Sequence, residues 1–259
     1  MKKKFRTVRY EIEEGITGDD KPVTLVHLTD LHGTNYGAGQ LPLLKAVAVE
    51  HPDLILVTGD MITESRELNE QTVDFLGDLN FYAPVFFCNG NHETRIKERQ
   101  KLFAAFQNGL LERGVTILEN SSVPVTIRDV PMRIYGYEVD LSYYRRFSRK
   151  KPTLEDMEEA LGSAEKGVFN LLMAHNPMYF EAYKEWGADL TLSGHLHGGY
   201  LRLPLLGGII SPQCQLFPKY DRGLFEEKGR YMEVSAGLGN HLWFERVGNP
   251  AEISVVKVY

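Results

Sequence analysis

The feature that most restricts the fold of this chain is a series of short apolar runs, each of which ends at a polar residue. The runs are rich in β-branched residues and apolar on both faces, which is typical of strands buried on both sides of a sheet. They cover residues 23–29 before Asp30, 54–58 before Gly59, 84–88 before Asn89, 168–174 before His175, and 188–193 before Gly194. This pattern predicts a central sheet whose polar residues gather at the ends of its strands.

Helical and hairpin patterns fill the intervals between these runs. The helical pattern at 177–186 has Asn176 as its predicted N-cap, Pro177 at the first position and Gly187 at its end. Other helical patterns cover 40–50, 66–80 and 93–112, alternation at 115–139 predicts antiparallel hairpins, 140–167 predicts a charged and aromatic surface segment with one short helix, and 230–258 predicts further strands. No linker or repeat interrupts the sequence, so we predict a single mixed α/β (α+β) domain over residues 1–259.

The charge of the chain narrows the class of ligand. Its formal net charge is −6, which argues against a general nucleic-acid binder, because such a protein needs a basic surface to neutralise phosphates. A small phosphorylated substrate stays compatible with this charge, since bound metal cations supply positive charge locally.

The sequence predicts neither a secretion signal nor a membrane span. The basic start at 2–9 is not followed by an apolar stretch, and no run approaches the roughly eighteen uncharged residues of a spanning helix. The two cysteines, Cys88 and Cys214, are too few for a disulfide framework, and Cys88 lies in an apolar run typical of a buried thiol. We therefore expect a cytoplasmic protein.

Side chains that bind metals cluster at the predicted strand ends, and five of the eight histidines in the chain are among them. The set consists of Asp30, His32, Asp60, Asn91, His92, His175, His195 and His197. Carboxylate, imidazole and amide donors without thiolates suit borderline metals such as Mn, Fe or Zn, rather than a structural zinc site. The Asp-x-His and His-x-His spacings place alternate residues on one side of an extended segment, so each pair can face one ion.

Each of these residues alone has an ordinary structural explanation. Gly-Asp after a strand is common turn chemistry, and a lone histidine such as His175 is more often a hydrogen-bonded core side chain than a ligand. Gly90-Asn91-His92 is also compatible with a simple helix start. The recurrence of such residues at five successive strand ends favours one shared metal site over independent coincidences.

Five motifs, in order along the chain, resemble those of the calcineurin-like metallophosphoesterases. They are Asp30-Leu31-His32, Gly59-Asp60, Gly90-Asn91-His92-Glu93, His175, and Gly194-His195-Leu196-His197. The resemblance implies two facing mixed β-sheets flanked by helices, the metallophosphoesterase-type sandwich, with two divalent metal ions at the strand ends.

The resemblance also implies a role for each residue. Asp30, His32 and His197 would bind the first ion. Asn91, His175 and His195 would bind the second ion, and Asp60 would bridge both. His92 would be a catalytic residue that faces the substrate phosphate instead of binding metal.

Such a centre accounts chemically for the hydrolysis of a phosphate ester. Two cations about 3.5–4 Å apart clamp phosphate oxygens and lower the pKa of a bridging water to give hydroxide near neutral pH. His92 would stabilise the developing charge or protonate the leaving oxygen. A helix beginning near Glu93 would present its positive end to the same anion.

The segment after the last motif resembles a bacterial subgroup that contains membrane- or wall-associated phosphodiesterases and lipid A precursor pyrophosphatases. Residues 198–208 and 218–223 carry this resemblance, although members commonly have Gln where this chain has Tyr200. The apolar stretch 201–210 predicts either a buried hairpin or a rim that contacts a lipid tail or a membrane surface.

Two basic segments bear on the same question. The basic start would strengthen peripheral contact with an anionic bilayer, but short charge runs are usually solvated. The second cluster, at 145–151, has Tyr143, Tyr144 and Phe147 among or beside its basic residues. It predicts either a solvated loop or a substrate-binding lid.

Two function hypotheses follow. The first is a phosphodiesterase or pyrophosphatase acting on a lipid-linked or nucleotide-type phosphate ester. The second is a non-catalytic metal-binding scaffold of the same fold that recruits partners. Scaffolds derived from enzymes tend to lose a ligand or the non-ligand histidine, and this chain has all of these residues, so the sequence favours the enzyme.

Overall fold

The computed structural model describes residues 3–18, 21–63, 65–146, 148–199, 202–203, 207–208, 217–239 and 248–259. The strands within these ranges are β1 (Phe5–Ile12), β2 (Val23–Leu28), β3 (Leu54–Val57), β4 (Val85–Phe87), β5 (Thr116–Ile117), β6 (Ser121–Ile127), β7 (Val130–Tyr137), β8 (Phe169–Ala174), β9 (Leu190–Ser193), β10 (Arg202–Leu203), β11 (Gly207–Gly208), β12 (Gly223–Glu227), β13 (Arg230–Val234) and β14 (Ala251–Val258). The helices are α1 (Leu41–Ala48), α2 (Arg66–Leu79), α3 (Asn91–Ile96), α4 (Gln100–Glu112), α5 (Leu154–Leu161) and α6 (Phe180–Trp186), with 3-10 helices at Ala38–Gln40, Leu141–Tyr144 and Pro177–Tyr179.

Twelve of these strands form two mixed sheets of six strands each. The first sheet has the order β1-β14-β2-β3-β4-β5, and the second has the order β12-β13-β9-β8-β7-β6. In the first sheet β2, β3, β4 and β5 are parallel, and in the second sheet β13, β9, β8 and β7 are parallel. Each parallel set therefore directs its carboxyl ends to one edge of its sheet.

Successive side chains of the central strands point to opposite faces of their sheet and so contribute to three apolar layers. In β2, Leu25 packs between the two sheets, whereas Val26 packs beneath the helices that cover the first sheet. The middle layer joins side chains of both sheets, such as Leu56 and Leu171. Helices α1, α2 and α4 cover the outer face of the first sheet, and α5 and α6 cover that of the second. The two sheets thus face each other between helices, as predicted, and the central strands are apolar on both faces because both faces are covered.

The structure differs from the sequence prediction at one helix. The pattern at 93–112 predicted one helix, but the chain forms α3 and α4, with a break at Arg99, whose φ of −95° and ψ of 63° are not helical. The break allows α4 to pack Phe106 and Leu110 on the first sheet while α3 stays at its edge. Helix α3 begins at Asn91, close to the start near Glu93 that the sequence predicted.

The predicted limits of the last helical pattern are confirmed, with a tighter first turn. The Asn176 side chain accepts a hydrogen bond from the Met178 backbone N–H (3.0 Å), and Gly187 ends α6 with a φ of 115°. The first turn, Pro177–Tyr179, is a 3-10 helix. Among the described residues, no helix is both long and apolar enough to cross a membrane.

The apolar stretch near the last motif is only partly described. β10 and β11 pair as antiparallel strands, while Tyr200, Leu201 and residues 204–206 and 209–210 lie outside the described residues. The choice between a buried hairpin and an exposed rim therefore stays a prediction.

Candidate metal centre

The carboxyl ends of five strands from both sheets bring the predicted site residues to one region. From the first sheet, β2 leads to Asp30 and His32, β3 to Asp60, and β4 to Asn91 and His92; from the second sheet, β8 leads to His175, and β9 to His195 and His197. The candidate centre thus lies where the carboxyl edges of the two facing sheets meet, which is where ligands bind in open α/β sheets.

The first group of potential ligands consists of Asp30, His32 and His197. Their donor atoms all lie within 4.8 Å of one another. His197 Nε2 is 3.4 Å from Asp30 Oδ1, and His32 Nε2 is 3.7 Å from the same oxygen. One cation could therefore contact all three side chains at once.

A second group consists of Asp60, His175 and His195, again with donor atoms within 4.8 Å of one another. His175 Nε2 is 3.1 Å from Asp60 Oδ2, and that same oxygen is 3.9 Å from His32 Nε2 in the first group. Asp60 therefore belongs to the second group and also reaches the first.

Buried oxygens of these side chains fit a cation better than they fit a closed hydrogen-bond network. Asp30 Oδ1, Asp60 Oδ2 and Asn91 Oδ1 are buried, and none accepts a hydrogen bond of ordinary geometry from the described part of the chain. Buried polar atoms are nearly always paired, so three unpaired oxygens in one region need an explanation. Divalent cations bound between the two groups would supply the missing partners.

The backbone at the site is held in an unfavourable conformation. Positive φ angles occur at five of the candidate residues: Asp30 (53°), His32 (46°), Asp60 (52°), His195 (68°) and His197 (50°). Non-glycine residues seldom adopt such angles, and they concentrate at functional sites where the surrounding structure enforces them.

Glu93 is the residue that holds the Asp60 and Gly90 turns together. Its buried carboxylate accepts backbone hydrogen bonds from Asp60 (2.7 Å), Met61 (2.9 Å) and Gly90 (2.9 Å). Burial, together with the nearby charge of Asp60, raises the pKa of Glu93 to about 7. In the sequence, Glu93 is visible only as part of a motif and of a helix start. Nothing in its local sequence shows which backbone N–H groups donate hydrogen bonds to its carboxylate.

Gly90 is required at its position by close packing. A Cβ atom there would lie 2.3 Å from Asp60 Oδ1. The same Asp60 oxygen accepts a hydrogen bond from the His92 backbone N–H (2.8 Å). The Gly-Asn-His motif thus wraps around the carboxylate of the preceding motif.

His175 is oriented by a backbone carbonyl. Its Nδ1 lies 2.6 Å from Thr58 O, and because a carbonyl can only accept, Nδ1 carries the proton. That hydrogen bond directs Nε2 towards Asp60, which is the arrangement in which a histidine binds metal through one nitrogen and is fixed through the other.

The acidic and imidazole groups stabilise each other's charges. Burial alone would raise the pKa of both aspartates, but His197 at Asp30, and His175 and His92 at Asp60, outweigh it, so both pKa values lie below the ordinary range. Burial lowers the pKa of His175, and Asp60 outweighs that effect and raises the pKa to about 9. A metal ion that binds these groups would take the place of protons.

His92 is nearer to solvent than most of the cluster. It is only partly buried, and its ring lies 4.6 Å from that of His32, edge to face. His92 also forms a third group with His32 and Asp60 whose donor atoms lie within 4.8 Å of one another. Its position is thus compatible with contact to a substrate phosphate or to a metal ion.

Tyr144, which the sequence shows only as an aromatic residue beside the basic cluster, is a neighbour of the site. Its ring packs edge-on against that of His195 at 5.1 Å and lies 6.2 Å from that of His175. It precedes the basic cluster at 145–151, in which Arg145, Arg146, Arg149, Lys150 and Lys151 are exposed and Phe147 lies outside the described residues. The cationic side chains thus face solvent, and the tyrosine faces the site.

Comparison with known proteins identifies the class to which this site belongs. The model of the calcineurin-like phosphoesterase family matches residues 23–199, more than half of the chain. The chain belongs to this family and is a metal-dependent phosphoester hydrolase, as the motifs predicted.

Relatives of known sequence agree with this assignment. The chain is 28% identical over 242 residues to Phosphodiesterase YaeI of Escherichia coli (strain K12), and the match covers 92% of this chain and 82% of that protein. It is 25% identical over 254 residues to the metallophosphoesterase YkoQ of Bacillus subtilis (strain 168), covering 97% of this chain and 88% of that protein.

Solved structures agree on the fold. A phosphopantetheinyl hydrolase (PptH) from Mycobacterium tuberculosis superimposes with a TM-score of 0.53 at 15% identity, over 84% of this chain and 90% of that chain. The protein TT1561 of Thermus thermophilus superimposes with a TM-score of 0.52 at 11% identity, over 84% of this chain and 91% of that chain.

Proposed function

We propose that this protein hydrolyses phosphodiester or pyrophosphate bonds by means of two divalent metal ions, which we expect to be Mn, Fe or Zn. In this proposal Asp30, His32 and His197 bind one ion, Asn91, His175 and His195 bind the other, and Asp60 bridges them. The observation that carries the proposal is the position of Asp60 Oδ2, which lies 3.1 Å from His175 Nε2 in its own group of ligands and 3.9 Å from His32 Nε2 in the other.

The side chains of the site divide the chemistry between them. The two ions, when bound, supply positive charge for the phosphoryl oxygens and an activated water. His92 is placed by its backbone N–H on Asp60 and would protonate the leaving oxygen or stabilise the charge that develops there. The Glu93 and Thr58 contacts would keep Asp60 and His175 in place during turnover.

The preference for a diester is supported by the name of the Escherichia coli relative, a phosphodiesterase. The lipid-linked form of the substrate is supported only by the apolar sequence at 201–210. Two cations of the basic N-terminal segment already have carboxylate partners, Arg6 with the buried Glu252 (2.8 Å) and Arg9 with Glu50 (2.5 Å), so they give no specific support to membrane contact. We therefore place the phosphoester chemistry, and not a membrane surface, at the centre of the proposal.

The experiment is an assay of metal-stripped protein on a bis-aryl phosphate diester and an aryl monoester, with Mn, Fe, Zn, Mg and Ca added back in turn. We expect metal-restored hydrolysis of the diester, and we expect His92→Asn to reduce it by about 100- to 10,000-fold, the range of general acid–base catalysis. His51→Asn is the matched control, because His51 is exposed and precedes β3, at the end of the first sheet opposite to the site.

Each outcome of this assay bears on one part of the proposal. Full activity of the His92 variant on both substrates would rule out its assigned role. Absence of turnover with every metal, despite two bound ions, would favour the non-catalytic scaffold of the same fold.

A further inference from the structure

The 3-10 helix Leu141–Tyr144 places an aromatic side chain over one half of the metal centre. Tyr144 contacts the His195 ring edge to face, at an interplanar angle of 71°, and approaches the His175 ring at 6.2 Å. Both histidines are almost completely buried, whereas Tyr144 is only partly buried. Tyr144 is therefore a partly exposed side chain in direct contact with a buried imidazole of the candidate centre.

The segment that carries Tyr144 is fixed on both sides. The Asp140 carboxylate accepts a hydrogen bond from the Ser142 backbone N–H (2.8 Å), and the Tyr143 carbonyl accepts one from the Tyr179 hydroxyl (2.9 Å). The Lys150 ammonium donates to Ser142 Oγ (2.9 Å) and lies over the Tyr143 ring. Such anchoring gives Tyr144 one defined position before any ligand binds, which is what a substrate contact requires.

The hydroxyl of Tyr144 is available for a ligand. Within the described part of the chain it takes part in no hydrogen bond, although the rings beside it are well packed. A phenol keeps its proton at neutral pH and can donate a hydrogen bond, and a phosphoryl oxygen is an acceptor.

We propose that Tyr144 is a substrate-contacting residue whose hydroxyl donates a hydrogen bond to a non-bridging phosphoryl oxygen held above the His175 and His195 half of the centre. This inference rests on the phosphohydrolase function proposed above and adds to it a substrate contact from the segment that follows β7. The alternative role for Tyr144 is purely structural: the ring packs on His195 and keeps that imidazole in place.

The substitution Tyr144→Phe separates these roles, because it keeps the ring and removes only the hydroxyl. Tyr82→Phe is the matched control, since Tyr82 is exposed and precedes β4, at the end of the first sheet opposite to the site. Metal content, binding of inorganic phosphate to the metal-loaded protein by calorimetry, and kcat/KM on the bis-aryl diester are measured for both variants and for the unmodified protein.

We expect Tyr144→Phe to retain the metal content of the unmodified protein, to bind phosphate about tenfold or more weakly, and to lose kcat/KM by a similar factor, as expected for a hydrogen bond to a charged group. Unchanged phosphate affinity and unchanged kcat/KM would overturn the proposal. That result would favour the packing role, because phenylalanine keeps the ring. Loss of metal from Tyr144→Phe would also overturn the proposal, because the hydroxyl would then support the metal site instead of contacting the substrate.

The phosphate-binding measurement separates this inference from the proposed function. If the unmodified protein shows no turnover but binds phosphate more tightly than Tyr144→Phe, the hydrolase proposal fails and the Tyr144 contact stands. If turnover is metal-dependent and Tyr144→Phe behaves as the unmodified protein does, the hydrolase proposal stands and the contact fails.

Discussion

Two buried polar clusters join the two sheets of this protein, and they differ in how completely their atoms are paired. In the candidate metal centre, Asp60 from the first sheet faces His175 from the second. In the second cluster, His27 on β2 faces Glu233 on β13, with Nδ1 at 2.5 Å from Oε2. All four side chains are buried, yet their surroundings are organised in opposite ways.

The pair of His27 and Glu233 is almost closed on itself. Both ring nitrogens of His27 have partners, Glu233 at Nδ1 and the Thr58 hydroxyl at Nε2 (2.7 Å), and both residues lie inside regular strands. Only Glu233 Oε1 remains without a hydrogen bond among the described residues. A buried pair of this kind contributes to a unique, stable arrangement of the two sheets.

The candidate metal centre combines buried oxygens that accept no hydrogen bond with a strained backbone. Asp30 Oδ1, Asp60 Oδ2 and Asn91 Oδ1 accept no hydrogen bond of ordinary geometry from any described residue, and both aspartates have positive φ angles. These features cost stability in the absence of a ligand. The difference favours a ligand-binding role for the first cluster and a sheet-joining role for the second. We therefore expect substitutions in the two clusters to affect different measurements.

The largest effect is expected from Asp60→Asn. The amide keeps the shape of the side chain but removes the charge shared by both ligand groups, so we expect both metal sites to lose affinity. Removal of a single hydrogen-bond donor that stabilises the transition state lowers kcat by about 100- to 1,000-fold in other enzymes. Loss of a ligand shared by two metal ions should lower kcat/KM by at least about 1,000-fold. Activity is measured with excess metal, and metal content is measured after dialysis.

A matched control for this change is Asp78→Asn on the exposed face of α2. Retention of two equivalents of metal by Asp60→Asn would contradict the bridging role and, with it, the distinction between the clusters.

The next effect in size is expected from His27→Asn, and it should appear in stability. The shorter side chain leaves Glu233 buried without its partner, which costs about 3 kcal/mol or more in comparable buried pairs. Urea unfolding of the metal-free protein measures this loss. Metal affinity should fall by less than about tenfold, because His27 reaches the candidate metal centre indirectly, through Thr58: the Thr58 hydroxyl contacts His27 and the Thr58 carbonyl contacts His175.

The matched control is His51→Asn, the same substitution at an exposed histidine. It should leave both the free energy of unfolding and the metal affinity unchanged. If His27→Asn left stability intact and emptied the metal site, the clusters would not be separable in the way the comparison requires.

The sequence predicted those parts of the molecule that depend on local pattern. The strand Leu54–Val57 is apolar at every position because both of its faces are covered, and polar residues soon after such a strand lie at the edge of the sheet. This reasoning led to Asp60 and His175 without any knowledge of how the two sheets pack.

Contacts between distant parts of the chain were not predictable in this way. β1 pairs with β14, and Arg6 reaches Glu252 across almost the whole sequence. Tyr144 reaches the site only because its 3-10 helix is fixed by Tyr179. The break at Arg99 depends on the packing of α4 on the first sheet, since the apolar periodicity continues through it.

Glu93 is the most informative of these unpredicted contacts, and Glu93→Gln is expected to give the smallest of the three effects. The carboxylate accepts backbone N–H bonds with both oxygens, Oε2 from Asp60 and Gly90, and Oε1 from Met61. A glutamine has only one acceptor oxygen and would turn its own N–H groups towards N–H donors. The turn that carries Asp60 should therefore loosen, although every proposed ligand stays in the chain. Residues that orient metal ligands typically contribute about 10- to 100-fold to metal affinity, so we expect a loss in that range, measured by metal titration.

The matched control is Glu98→Gln, an exposed position beyond α3, and this variant should bind metal normally. An unchanged metal affinity in Glu93→Gln would mean that the strained turn at Asp60 keeps its conformation without the Glu93 carboxylate. The two clusters would then differ in their side chains alone, and not in the hydrogen bonds that fix their backbone.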